Sequence, residues 1–177
     1  MNELKKISEN NINITIYKDD EVLSPFSDNG TETITSELAE YIKHSAKSTN
    51  PKHKQNITIF SKNLNDTQKE KYAMAIKNYF SRELAETKRM LKRNTITSII
   101  FGLISILTFL FHFSFIEKLN ISTLKELILI FGWVFLWEAI DLLFIQGYKL
   151  RILKYRYKNI VNAKISFKEL NSKNKTK

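Results

Sequence analysis

Two long apolar stretches dominate this chain and limit what it can fold into. Residues 96–116 (ITSIIFGLISILTFLFHFSFI) run for 21 positions without Asp, Glu, Lys or Arg, and 14 of them are Ile, Leu or Phe. A bilayer core takes about 20 apolar residues of helix, so this stretch is long enough to cross one. Residues 127–147 (LILIFGWVFLWEAIDLLFIQG) are equally long, with 13 Ile, Leu, Val or Phe, but they contain Glu138 and Asp141. On an insertion scale the 13 apolar residues contribute roughly −4 to −8 kcal/mol, while two central acids cost about 5 to 7 kcal/mol. The second stretch is marginal alone and acceptable as the returning half of a hairpin, with its acids packed against the first. A buried helix pair in a soluble core competes with this reading. It would need a charged face on 96–116 to meet water, and no Asp, Glu, Lys or Arg occurs there.

Taken as an average, the 177-residue chain looks like a soluble basic protein, 26% charged with a formal net charge of +10. Resolved along the chain, the excess sits entirely in the second half. Residues 1–87 hold 12 basic and 13 acidic side chains, and residues 88–177 hold 16 and 5. The basic residues bracket the apolar stretches. Lys88, Arg89, Lys92 and Arg93 precede the first, and Lys149, Arg151, Lys154 and Arg156 open the run after the second. The loop 117–126 sets Lys118 and Lys125 against two glutamates. The positive-inside rule therefore puts both termini in the cytoplasm and this loop outside, for a multi-pass protein of the cell (plasma) membrane. The flanking cations would lie against anionic lipid headgroups.

A nucleic-acid partner is not expected. Only 5 Arg stand against 23 Lys, and the basic clusters bracket apolar segments instead of interleaving with stacking aromatics. The absence of cysteine excludes disulfides, thiol catalysis and zinc–thiolate sites. The opening MNELKKISEN is polar, so no cleavable leader is expected.

The remainder reads as a small α+β domain. Residues 11–17 (NINITIY) and 56–61 (NITIFS) alternate like half-buried strands. Between them come an acidic turn at Asp19-Asp20-Glu21 and turn signals at Ser24-Pro25-Phe26 and Asn29-Gly30, with Phe26 expected to plug the core. A short helix comes next, capped by Thr35 or Ser36, with Leu38, Tyr41, Ile42 and Ala46 on one face, and Asn50-Pro51 closes it. Thr67 and Glu70 have capping-box spacing ahead of a long helix carrying Tyr72, Ile76, Tyr79, Phe80, Leu84 and Leu91 at helical period. With no Gly or Pro before Gly102, that helix is expected to run into the first span. Residues 163–167 (AKISF) alternate again and offer a third strand, since two strands alone make too small a sheet. The expected organisation is a cytoplasmic domain with stalk helix over 1–94, a transmembrane hairpin over 95–147, a basic helix and third strand over 148–170, and a disordered tail over 171–177.

Catalytic signatures are missing. No phosphate-binding, dinucleotide-binding or nucleophile-elbow motif occurs. His44, His53 and His112 lack metal-ligand spacing, and neither a cofactor nor a metal is implied. The ionisable residues inside the second span are the notable feature, because their insertion cost calls for a partner. Glu138 and Asp141 are three apart and share a helical face. The first span offers Ser98, Gly102, Ser105, Thr108 and His112 at helical spacing, with Gly102 expected to permit close packing. Pairing the span midpoints sets Glu138 level with Ser105 and Asp141 near Gly102. Either the carboxylates hydrogen-bond Ser105, Ser98 or a symmetry mate and fix helix pairing, or they relay protons or cations. Trp133 and Trp137 lie too deep for an interfacial belt and are expected to pack.

The segment 132–141 (GWVFLWEAID), followed by a basic helix, resembles segments of uncharacterised prokaryotic two-span integral membrane proteins, over about the last 90 residues. The resemblance implies no activity and carries over no functional residue. The function expected from the residues is a membrane-tethered interaction or regulatory module without catalysis, whose protein partner is unknown. The alternative is a small homo-oligomeric channel, proton relay or membrane-perturbing effector built on Glu138 and Asp141.

Overall fold

The computed structural model describes residues 11–17, 22–27, 31–50, 53–62, 64–115, 118 and 122–170. The acidic turn at 19–21, the Asn29-Gly30 turn, Pro51, residues 117 and 119–121 of the loop and the tail 171–177 lie outside them. The elements are β1 (Asn11–Ile16), α1 (Ser36–Lys47), β2 (Asn56–Ser61), α2 (Asp66–Ser114), α3 (Ser122–Ile140), a π-helical turn (Asp141–Gln146), α4 (Gly147–Val161) and β3 (Lys164–Glu169). The chain divides into two units, Met1–Ala85 with Lys154–Lys177, and Glu86–Leu153.

The first unit is built on a three-stranded sheet in the order β1-β2-β3, with both pairings parallel. The expected third strand is present, and its register lines up Ile12, Ile57 and Ile165, then Ile14, Ile59 and Phe167. Parallel neighbours need crossovers. The first contains α1. The second is the stretch 62–163, within which the whole of the other unit is inserted in sequence.

Right-handed crossovers that step in one direction across a sheet fall on the same face. That face carries Ile12, Ile14, Ile16, Ile57 and Ile59, all at 4% exposure or less. Ala39, Ile42 and Ala46 of α1, Tyr72, Ala75, Ile76 and Phe80 of α2, and Tyr157 and Ile160 of α4 complete the core. The opposite face is polar. Asn13, Thr15, Lys164 and Lys168 are exposed there, and Thr58 Oγ1 donates to Asn11 Oδ1 (3.4 Å) and lies 3.3 Å from Ser166 Oγ.

Three local expectations are corrected. Tyr41 does not join the core. It is 51% exposed, and its hydroxyl donates to the Asn13 carbonyl at 2.9 Å. Phe26 is 95% exposed, because the Ser27 amide and hydroxyl both close on the Ser24 carbonyl and turn the loop outward. The cap of α2 falls two residues before Thr67. Asn65 N–H donates to Gln68 Oε1 (3.0 Å), while the Asn65 carbonyl accepts the Gln68 and Lys69 amides.

A charged cluster ties the helices of this unit together. Lys43 Nζ lies 3.3 Å from Glu83 and 3.5 Å from Glu40, and donates to the Tyr79 hydroxyl at 3.2 Å. Burial works against the ammonium, but the Tyr79, Tyr157 and Glu83 side chains outweigh it and hold Lys43 above the ordinary lysine range. Burial, aided by the Glu83 carboxylate and opposed by Lys43, pushes the Tyr157 phenol up to about 12.

Both groups keep their protons more firmly in the folded state than in the unfolded one. Their contribution to stability is therefore complete below about pH 10 and is lost as pH rises toward 12. Denaturant midpoints of this unit should fall across that range, and Tyr157→Phe should flatten the slope. Core and surface apolar residues should also separate. Ile59→Ala should cost about 2–5 kcal/mol in the same assay, while Phe26→Ala stays within about 0.5 kcal/mol.

Candidate functional site

The second unit is a helical hairpin whose seam is made of small residues. Ser98, Ser105 and His112 recur every seven positions along α2 and are buried at 4%, 0% and 5% exposure. Gly132 and Ala139 are buried on α3, also seven apart. Ser98 Oγ donates to the Ala139 carbonyl and Ser105 Oγ to the Gly132 carbonyl, each at 2.9 Å. A seven-residue repeat on both helices is the spacing of a left-handed supercoiled pair, and small residues at the contact let the backbones close in.

The glycine that permits this approach is Gly132. A Cβ there would come within 2.8 Å of the Phe109 ring, whereas one on Gly102 would meet nothing within 4 Å. The packing role expected of Gly102 is thus corrected. Continuing the register sets His112 level with Lys125. The His112 Nδ1 is buried without a hydrogen-bond partner among the described residues, and its ring meets Phe113 edge-on at 5.3 Å.

The observed register also corrects the expected partners of the acids. Ser105 faces Gly132, six residues and roughly 9 Å along the helix from Glu138. Both serines are spent on backbone carbonyls, and neither carboxylate reaches them. Asp141 is satisfied locally instead. Its Oδ2 accepts from Gln146 Nε2 at 2.7 Å, and Gln146 Oε1 accepts from Asn94 Nδ2 at 3.3 Å.

This chain of bonds depends on the π-helical turn, which brings residues five apart onto one line. The turn closes with the Gly147 amide directed at the Leu142 and Phe144 carbonyls. Glu138 is exposed on the outside of the hairpin, with no hydrogen bond or ion pair among the described residues. Trp133 and Trp137 also face outward, at 62% and 69% exposure. Trp133 keeps one edge contact with Phe109 at 5.9 Å, so the packing expected of the pair is limited to that ring.

The basic residues fall into two groups. Lys88, Arg89, Lys92, Arg93, Lys149 and Arg151 are exposed on the hairpin unit. Lys154 and Arg156 belong to the sheet unit, where Arg156 Nη2 donates to the Lys47 carbonyl at the end of α1 (3.4 Å). Arg156 is thereby a cap on a helix C-terminus, where a cation is favoured. His44 and His53 are exposed, and no group of metal-ligating side chains occurs among the described residues.

Sequence reasoning missed Gly132, Ala139, Asn94 and Gln146. The first two were findable from their seven-residue step against Ser98 and Ser105. Nothing in the sequence marked the π turn. The chain matches no protein-family model, no curated protein and no solved structure.

The two glycines should respond oppositely to alanine. Gly132→Ala should weaken the hairpin by about 1–3 kcal/mol, because Phe109 must move. Gly102→Ala should be neutral or stabilising by up to about 1 kcal/mol, through helix propensity alone. Unfolding of the purified protein in detergent, followed by tryptophan fluorescence, reads both.

Proposed function

We propose that this protein is an integral membrane protein, anchored by the hairpin of α2 and α3, that carries a cytoplasmic interaction or regulatory module. One observation carries the reading: the hairpin is built inside out. Its hydroxyls and small residues are at the seam, and twenty large apolar side chains from Ile96 to Ile145 stand at 37% exposure or more. Only 17% and 11% of the most apolar windows of the two long helices are buried. In water, each such side chain would forgo about 1 kcal/mol or more of burial. With twenty of them unburied, the hairpin would lack in water the burial that must offset the entropy of ordering its chain. In lipid the same surface costs nothing.

The exposed cations Lys88, Arg89, Lys92, Arg93, Lys149 and Arg151 suit the headgroup layer at the cytoplasmic surface. With them placed there, both termini are cytoplasmic and the 117–126 loop lies outside. The sheet supports the interaction role. Parallel sheets are almost always covered on both faces, and this one leaves Asn13, Thr15, Lys164 and Lys168 in the open. A second reading, an oligomeric channel or proton relay, draws on Glu138, which has no partner among the described residues. Ion flux through reconstituted protein that Glu138→Gln abolishes would favour it, and unchanged conductance would remove it.

The protein has no cysteine of its own, which makes topology directly measurable. It should stay in membranes through alkaline carbonate extraction. A single cysteine at Ser122 should react with an impermeant maleimide added to intact cells, and one at His53 only after the cells are opened. Release by carbonate would sink the anchoring, and the reverse labelling pattern would invert the orientation.

A further inference from the structure

The geometry points to a second copy of this chain as the partner of the Glu138 face of α3, with the two Glu138 side chains meeting at a two-fold axis normal to the membrane. The inference rests on the membrane reading above. A carboxyl group near the middle of an apolar span needs a hydrogen-bonding partner. Asp141 has one in Gln146. Glu138 has none among the described residues and is exposed.

The hairpin cannot cover Glu138 by tighter folding. The seam is on the Gly132 and Ala139 side, while Glu138 shares its stripe with Leu127, Phe131 and Val134, each more than half exposed. Residues three, four and seven apart share a helical face, so Leu127, Phe131 and Val134 form a continuous apolar strip leading to Glu138, with Asp141 one step beyond it and already bonded to Gln146.

The occupant is set by what this chain can offer at that depth. The first span holds no charged residue, and its two most buried hydroxyls, Ser98 and Ser105, already donate within the hairpin. Identical chains inserted with one topology carry Glu138 at the same depth. A two-fold contact along the stripe then sets carboxyl against carboxyl, hydrogen-bonded to one another, with Phe131 and Val134 closing around them. An apolar partner would leave the acid unmet. Closed two-fold contacts are the commonest assembly of identical chains.

The test uses the full-length chain in native membranes with one cysteine introduced at a time. Under mild oxidation, Phe131→Cys and Val134→Cys should give a disulfide-linked species of twice the monomer mass. Ile140→Cys, which is also exposed but on the other side of α3, should not. In the Val134→Cys background, Glu138→Leu should lower the cross-linked yield about tenfold, the size of one interhelical polar contact, and Glu138→Gln should keep it. Equal cross-linking at all three positions, no cross-linking, indifference to Glu138→Leu, or a cross-link to a species of another mass would each overturn the self-association. Carbonate extraction of the same membranes keeps the two readings apart. Retention without stripe-specific cross-linking refutes the dimer alone, while release refutes the anchoring and the dimer with it.

Discussion

For a serine hydroxyl on one helix to reach a backbone carbonyl on another at 2.9 Å, the two backbones must come close enough that no large side chain stands between them. Ser98 and Ser105 meet this condition only because Ala139 and Gly132 lie opposite. Most of the hairpin depends on that pair of contacts. They set the register, bring Phe109 down over Gly132, and leave the large apolar residues no place but the outside. A carbonyl already serving its own helix has a second lone pair to give, so these bonds cost the helix nothing. Polar groups are thereby used up at the seam, which keeps them from holding the acids.

A comparable economy governs the sheet. An all-parallel order of β1-β2-β3 with crossovers stepping one way builds a single covered face, and the residues agree with the topology except at the end of the sheet, where Phe60 lies on the open face and Ser61 on the covered one. Ile occupies every covered position of β1 and two of the three in β2, while Asn, Thr, Ser and Lys dominate the open register. The second crossover carries the whole hairpin unit, so the chain that leaves after β2 must come back to add β3. Pairing of β3 with β2 closes that excursion at its base. Arg156 and Asn159 add to the closure by donating to the carbonyls of Lys47 and His53.

Periodicity carried most of the fold. The alternation of 11–17 and 56–61 marked two strands, AKISF marked the third, and the absence of Gly or Pro before 102 marked a helix that proves to span Asp66–Ser114. Periodicity does not see what a side chain meets. Tyr41 had the right phase for the core, yet its phenol found a strand-edge carbonyl. Phe26 is apolar and sits in a turn whose backbone bonds face it outward. The site was half legible. Ser98, Ser105 and His112 were read as one stripe and are buried as one, but aligning span midpoints gave the wrong register. Helices meet where their backbones can approach closely, and midpoints have no bearing on that.

The two acids show how little separates a settled intramembrane charge from an unsettled one. Three residues apart, they would share a face and a fate in an uninterrupted α-helix. The π turn begins at Asp141 and gives the two different surroundings. Its longer step puts Gln146 within 2.7 Å of Asp141 and draws in Asn94, while Glu138, just before the turn, gains nothing. The extra residue also re-phases the helix beyond the turn. The buried small residues fall at Gly132, Ala139 and Gly147, a step of seven and then one of eight, so the turn supplies the residue that keeps a glycine buried past it. A π turn weakens the local helix and persists where it is compensated. Here the compensation is the Asp141–Gln146–Asn94 chain. What that chain leaves over is Glu138, a carboxyl with no partner among the described residues.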